Sequence, residues 1–358
     1  MTVFEYFADK FPFVRPYSPA AGETFEVAPG IHWLRMPLPF ALDHINLWLL
    51  ADESDGRPGW TIIDTGFALP KVKACWESIL ERLAETPRGA RILRIIVTHF
   101  HPDHLGLATW LQEKTGAAIH MTLGEYLTAH AVWHESAGHG IAPMLGQFCA
   151  HGLDAGRCAG LEKNRGGYQR GVPDLPSAYR RLFDGDVICI GDHGWQVRTG
   201  FGHSPEHASL YCAGLGVLIS GDMLLPKIST NISVYAVTPM ADSLADYLDS
   251  LDRYRDLPAA TLVLPSHGLP FCGMLERIEE QHAHHRERLQ VLAENCAQPR
   301  SAAELLSTLF PRELDTHQLM FAMGEAIAHL NHLEQAGRLL RATGEDGVIR
   351  FVACPMAP

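Results

Sequence analysis

Three observations predict a layered α/β fold in which one large domain is followed by a smaller helical one. The 358 residues are 47% hydrophobic and 20% charged, ordinary for a folded chain with room for such a pair. Short apolar runs of strand length alternate with longer segments of helical spacing. Between one such strand run and one helical segment lies Thr98-His99-Phe100-His101-Pro102-Asp103-His104-Leu105-Gly106, crowded with metal-competent side chains. Layered α/β proteins place their chemistry where a strand ends and a helix begins.

The elements follow in order. Strands are expected at Gly30–Met36, Ile45–Leu50 and Trp60–Gly66, the last ending in a turn. Val72, Cys75, Trp76, Ile79, Leu80 and Leu83 recur at helical spacing and predict a helix over Lys71–Leu83. Ile92–Val97 reads as a buried strand, and Leu105, Leu107, Ala108 and Leu111 open the next helix. Residues 120–180 lose periodicity, gain Gly, His and Arg, and read as an insertion with some helix (Leu123–Glu135) that caps the site. Strand signals resume at Val187–Ile190, Trp195–Arg198, Ser209–Cys212 and Val217–Ser220. An amphipathic helix over Asp242–Leu257 leads to a last core strand, Thr261–Leu264. From about Met274 the pattern is helical, with segments Ser301–Phe310 and Gln318–Ala336. Gly337 stops the second of these before a hairpin, Leu339–Arg341 with Val348–Val352, that turns at Glu345-Asp346-Gly347.

Composition excludes several function classes. A formal charge of -12 with no basic cluster argues against a nucleic-acid surface. Met1–Lys10 has neither a basic start nor a continuous apolar core, so a signal peptide is not expected. No apolar run approaches the roughly twenty residues of a membrane span. Eight scattered cysteines without a Cys-x-x-Cys pair suggest reduced thiols and a cytoplasmic protein.

The chemistry is carried by a few positions. His99 and His101 are two apart, so an extended backbone turns both imidazoles to one side, and Asp103 and His104 follow within a turn. Three more candidates each come directly after a strand: His203 in Phe201-Gly202-His203-Ser204, Asp222 in Ile219-Ser220-Gly221-Asp222, and His267 in Leu264-Pro265-Ser266-His267-Gly268. Singly, Asp222 and His267 are ordinary turn residues; in order behind a complete first cluster they become ligand candidates.

In this pattern the chain resembles the metallo-β-lactamase superfamily, with a His-x-His-x-Asp-His cluster, a later His, a bridging Asp and a last His. The resemblance covers roughly Gly30 to Gly273. It implies a four-layer αββα sandwich over residues 1–274 and a small winged-helix-like domain over 275–358. It implies one metal on His99, His101 and His203, a second on Asp103, His104 and His267, and Asp222 bridging the two. The cations would be zinc, with iron or manganese as alternatives, and Asp64 in Ile62-Ile63-Asp64-Thr65-Gly66 would support the metal loops from behind. A hydroxide between two cations about 3.5–4 Å apart would attack the substrate, with Asp103 orienting it or handling its proton.

The expected function is therefore hydrolysis of a small carboxylic ester, thioester or lactone. The sulfur dioxygenases of the family use a single iron and fit poorly. A single-strand endoribonuclease of the lactamase-like branch is an alternative, as is a regulatory protein that senses metal. From Glu276 onward there are 8 Arg and no Lys against 12 Asp and Glu, the wrong balance for phosphate. The tail is accordingly read as a packing or homodimerisation element, and the partner as a small molecule. His207 has the spacing of a supporting residue, while His44 and Asn46 are expected to serve the fold. Among His120, His130, His134, His139 and His151, and among Arg165, Arg170, Arg180 and Arg181, substrate contacts could be found, although solvated loop residues are the commoner case. His282, His284 and His285, amid Glu279, Glu280, Arg286, Glu287 and Arg288, are expected on a solvated helix face.

Overall fold

The computed structural model describes residues 18–163 and 165–354. Two sheets stack face to face. The first runs in the order β1 (Thr24–Ala28), β2 (Ile31–Pro37), β3 (His44–Ser54), β4 (Arg57–Ile63), β5 (Ile92–Ile96), β6 (Ala118–Met121) and β7 (Arg180–Arg181), antiparallel as far as β4 and parallel beyond it. The second holds β8 (Val187–Ile190), β9 (His193–Gly200), β10 (His207–Cys212), β11 (Val217–Gly221) and β12 (Leu262–Pro265). Its spatial order is β12-β11-β10-β9-β8, and only β11 and β12 are parallel.

The period-2 alternation of a strand explains the layers. In β3, Leu47 and Leu49 pack against helices, while Trp48 and Leu50 face the second sheet. Ile62 and Ile63 divide in the same way, as do Ile95 and Ile96. In the second sheet Val217, Ile219, Leu262 and Leu264 point inward, and Leu218 and Val263 point to an outer helical layer. Strands buried on both faces read as unbroken apolar runs, which is why these were recognisable from sequence.

Helices Pro70–Ala84, Ala108–Thr115 and Leu123–Trp133 cover the first sheet. Pro70 opens its helix where a missing N–H costs nothing, and Val72, Cys75, Trp76, Ile79, Leu80 and Leu83 form the buried stripe. Helix Ser243–Asp252 lies on the second, and Met274–Asn295, Ala302–Leu309 and Thr316–Gln335 pack with it in one outer apolar cluster. The result is the four-layer αββα sandwich. A hairpin of β13 (Leu339–Thr343) and β14 (Ile349–Ala353) closes the described chain. Among the described residues no helix is long and apolar enough to cross a membrane.

The 120–180 stretch is more regular than its sequence suggests. After Leu123–Trp133 it forms helices Ile141–Ala150, Ala155–Glu162 and Gly167–Gly171. Phe148, Leu153, Cys158 and Leu161 join the apolar cluster of the C-terminal helices, while Ala129 and Val172 belong to that of the first sheet. The expected solvated face of Met274–Asn295 needs correcting. His285 is fully buried, with Nδ1 3.0 Å from Nε2 of the buried His329. His284 accepts a hydrogen bond from Arg288 at 2.9 Å, and His282 lies 2.9 Å from Asp252. The charges beside these histidines in sequence point elsewhere on the helix; Ile278, Gln281, His285, Leu289 and Leu292 form the inward stripe.

Candidate metal centre

Every sequence-expected ligand sits just past a strand, and all of them meet at one end of the sandwich. The loop after β5 supplies His99, His101, Asp103 and His104; loops after β9, β11 and β12 supply His203, Asp222 and His267. Backbone hydrogen bonds sew the two sheets together there, from Ala208 N to Thr98 O at 2.8 Å and from Asn46 N to Ser266 O at 2.7 Å. Pro102 starts the short helix Pro102–Leu105, which stops the extended run after His101 and swings Asp103 and His104 round.

Two groups result. His99, His101, His203 and Asp222 bring one ligand atom each within 4.8 Å of one another, and so do Asp103, His104 and His267. In the first group His99 Nε2 lies 2.9 Å from His101 Nδ1 and 3.2 Å from His203 Nε2. In the second, Asp103 Oδ2 lies 3.4 Å from His267 Nε2 and 3.6 Å from His104 Nε2. Asp222 spans them: Oδ2 is 3.5 Å from His203 Nε2, and Oδ1 is 3.4 Å from His267 Nε2 and 3.6 Å from His104 Nε2.

The far ring nitrogens are fixed by acceptors. His203 Nδ1 lies 2.8 Å from Asn231 O, His267 Nδ1 2.9 Å from His44 O, and His104 Nδ1 2.8 Å from Asp64 Oδ2. His99 Nδ1 lies 3.0 Å from Thr98 Oγ1, which itself donates to Asp64 Oδ2 at 2.8 Å and so accepts from His99. Asp64 also takes the Thr98 N–H at 2.8 Å and adopts a left-handed φ of 62° to do so. This is the supporting role expected of it.

These donors suit cations. Burial, then the charges of neighbouring histidines, pushes His99 well below the usual imidazole range. His203 is lowered chiefly by burial, and burial with the His203 charge brings His101 to about 3. With Nδ1–H spent on Thr98 Oγ1 and on Asn231 O, His99 and His203 present Nε2 lone pairs to one another at 3.2 Å. A cation between them would make that approach favourable. In the second group burial would lower His267, but Asp222 and Asp103 overcome it and raise the ring to about 10. Burial likewise opposes, and the Asp103, Asp64 and Asp222 charges outweigh it, to hold His104 well above its usual value. That half draws positive charge, and a divalent cation held by Asp103, His104 and His267 would displace protons from the two rings. Among the described residues nothing hydrogen-bonds the buried His104 Nε2 or Asp222 Oδ1, as expected of atoms reserved for a metal.

Other residues hold the loops. His207, suspected from its spacing, is buried and accepts the Asp222 N–H at Nε2, 3.2 Å away. Asn46 and Arg35 pin the turn that carries His267: Asn46 Nδ2 donates to Pro265 O at 2.9 Å, and Arg35 Nη2 to Gly268 O at 2.6 Å. His44 Nε2 accepts the Gly268 N–H at 3.1 Å. One residue escaped the sequence entirely. Glu125, fully buried in helix Leu123–Trp133, takes the Phe100 N–H on Oε2 at 2.9 Å. Its Oε1 takes the Ser204 hydroxyl and the Glu206 N–H, both at 2.7 Å. One carboxylate thus ties the His99–His101 loop to the His203 loop. Burial pushes Glu125 up to about 7 against the pull of those three donors.

The remaining candidates lie outside both groups. Arg165 pairs with Glu162 and Glu135, Arg170 Nη1 donates to Arg165 O, and Arg180 and Arg181 form the exposed β7. His120 sits half-buried on β6, and His130 Nε2 lies 3.2 Å from Pro176 O. His151 is buried, its ring stacked 6.0 Å from Phe351, and His134 and His139 lie in the turns after helix Leu123–Trp133.

Comparison with known proteins gives the family. Residues 42–267 match the family model described as Metallo-beta-lactamase superfamily, and residues 289–354 match the one described as Metallo-beta-lactamase-like, C-terminal domain. A solved beta-lactamase domain protein from Burkholderia ambifaria is 49% identical, with a TM-score of 0.89 over 96% of this chain and 98% of its own. The probable metallo-hydrolase YqjP of Bacillus subtilis is 26% identical across 84% of this chain and 91% of the relative. The acyl-coenzyme A thioesterase MBLAC2 of Bos taurus is 25% identical across 66% of this chain and 78% of its own length.

Proposed function

From the premise that the chain belongs to the metallo-β-lactamase superfamily and is a metal-dependent hydrolase, we propose that it is a two-metal enzyme for small carboxylic esters, thioesters or lactones. The observation that carries this reading is Asp222, whose two oxygens face the two ligand groups separately. His99, His101 and His203 would hold one cation, Asp103, His104 and His267 the other, and Asp222 would lie between them. Zinc suits this imidazole and carboxylate set, with iron or manganese as alternatives. Held by these residues, a cation pair would supply a water acidic enough to attack at neutral pH and a Lewis acid for the carbonyl oxygen.

The protein's own residues do the rest. Asn231 O, His44 O, Thr98 Oγ1 and Asp64 fix the imidazole tautomers, so each presents its nitrogen in one direction. Asp103 would orient the nucleophile or handle its proton. We assign catalysis to residues 1–274 with the 120–180 helices shaping the pocket, and to 275–358 a winged-helix-like packing or dimerisation role. Thioesters lead the substrate classes, because a relative matched over two thirds of the chain is an acyl-coenzyme A thioesterase.

The test is a panel of thioesters, lactones and aryl esters offered to metal-loaded protein. Turnover of at least one class that is lost on chelation and restored by zinc is expected. Cleavage of single-stranded RNA with no turnover on the panel would overturn the proposal in favour of a nuclease.

A further inference from the structure

His317 lies in the first turn of Thr316–Gln335, where Asp315 caps the backbone by accepting from Gln318 N. Its ring lies flat on Phe40, centroids 4.6 Å apart and planes 6° from parallel. Phe321, one turn on, meets it edge-on at 4.8 Å. Phe40 belongs to the turn between β2 and β3, whose base is closed by Leu38 N donating to Asp43 O at 2.8 Å. The edge of Phe40 meets Phe67 at 5.6 Å, and Phe67 packs against Gly171, whose α-carbon also abuts Pro102. Pro102 stands between His101 and Asp103. Two aromatic rings therefore connect His317 to the ligand loop, and the Asp103 carboxylate is close enough for its charge to act on the imidazole.

Packing alone orients this imidazole. Among the described residues no group hydrogen-bonds either ring nitrogen, although the side chain is half-buried. A residue kept here only to fill space between Phe40 and Phe321 needs no polar edge. Because the clamp already fixes the ring, little rotamer freedom remains to be lost when it bonds a ligand.

We propose that His317 is a specificity-determining residue, held flat against Phe40 so that its free edge hydrogen-bonds a hydroxyl carried by the ester or thioester at the metal centre. The inference rests on the hydrolase reading above and adds to it a substrate feature, an oxygen substituent near the scissile bond. It also gives the C-terminal range a part in substrate choice.

Two matched pairs of thioesters test it with metal-loaded full-length protein. Hexanoyl and 2-hydroxyhexanoyl thioesters of N-acetylcysteamine place the hydroxyl on the acyl side. Hexanoyl thioesters of ethanethiol and 2-mercaptoethanol place it on the leaving group. The parent should favour the hydroxylated member of one pair by about tenfold in kcat/KM, the scale of one hydrogen bond. His317→Phe keeps the stack and removes the nitrogens, so that ratio should fall to near one with metal content and unfolding temperature unchanged. His317→Leu gives the same readout should the phenylalanine variant fail to fold. Equal ratios in parent and variant for both pairs would overturn the inference. If the parent turns over no thioester, the substrate assignment fails separately, and calorimetry with the corresponding acids and thiols decides for His317. Selective weakening of a hydroxylated member in the variant supports the contact; unchanged binding refutes it.

Discussion

Replacing Glu125 by Gln tests how the two histidine loops are held together. The carboxylate receives three donors, the Phe100 N–H on one oxygen and the Ser204 hydroxyl and Glu206 N–H on the other. Glutamine offers one oxygen and one NH2 group in the same space. If its oxygen faces Ser204 and Glu206, the amide opposes the Phe100 N–H. If it faces Phe100, the amide opposes the Glu206 N–H, and only the Ser204 hydroxyl can turn to accept. Either way one buried backbone N–H is orphaned, costing about 1–3 kcal/mol. Glu125→Ala orphans all three and leaves a cavity, so about 3 kcal/mol or more is lost. Because the orphaned groups lie beside His99, His101 and His203, part of the cost falls on metal affinity, about 10–100-fold as for other groups that orient ligands. Denaturant unfolding of metal-free protein gives the first quantity, and competition with a chromophoric chelator gives the second. A glutamine variant as stable as the parent and binding metal within twofold would refute the reasoning.

Asp222→Ala should abolish metal retention and hydrolysis together, checked by elemental analysis and turnover; full activity without this carboxylate contradicts the two-metal mechanism. Gly221 has a φ of 56°, and a Cβ there would run into the His207 ring that receives the Asp222 N–H. Gly221→Ala should therefore cost at least about 1–2 kcal/mol in thermal unfolding from backbone strain alone, and a neutral result would mean the loop relaxes freely. Burial, then the His329 charge, depresses His285 to about 2. A depressed imidazole contributes stability that is present above its unfolded pKa of about 6.5 and lost as pH falls towards the folded value. Unfolding free energies of His285→Leu against the parent should show a slope shallower by up to about 1.4 kcal/mol per pH unit below pH 6. Parallel slopes would show that this histidine charges without resistance.

What sequence revealed and what it hid follow from how each residue is specified. His99, His101, Asp103 and His104 are contiguous, and His203, Asp222 and His267 follow apolar runs, so local reading finds them. Glu125 is an ordinary acid in a helical segment, and only the fold brings it to Phe100 and Ser204. His317 lies 213 positions beyond His104 (317 minus 104), in a capping sequence that any helix could carry. His285 is hidden in the sequence because its charged neighbours mask the 3.6-residue spacing from Ile278 and Gln281 to Leu289. Helices Ile141–Ala150 and Ala155–Glu162 bury few of their own residues and draw their stability from contact with the C-terminal helices, so their patterns are faint.

The division of the ligands between the sheets has a thermodynamic consequence. One sheet contributes the loop that holds His99 to His104, the other contributes His203, Asp222 and His267. A cation in either ligand group must therefore touch side chains from both, acting as a clasp between two layers otherwise joined by apolar packing and scattered hydrogen bonds. By mass action, free metal at a thousand times its dissociation constant stabilises the folded chain by about 4 kcal/mol, a large part of a typical folding free energy. Chelators should then lower the melting temperature as well as the turnover. In metal-poor surroundings the atoms that confer reactivity would also set how long the molecule survives.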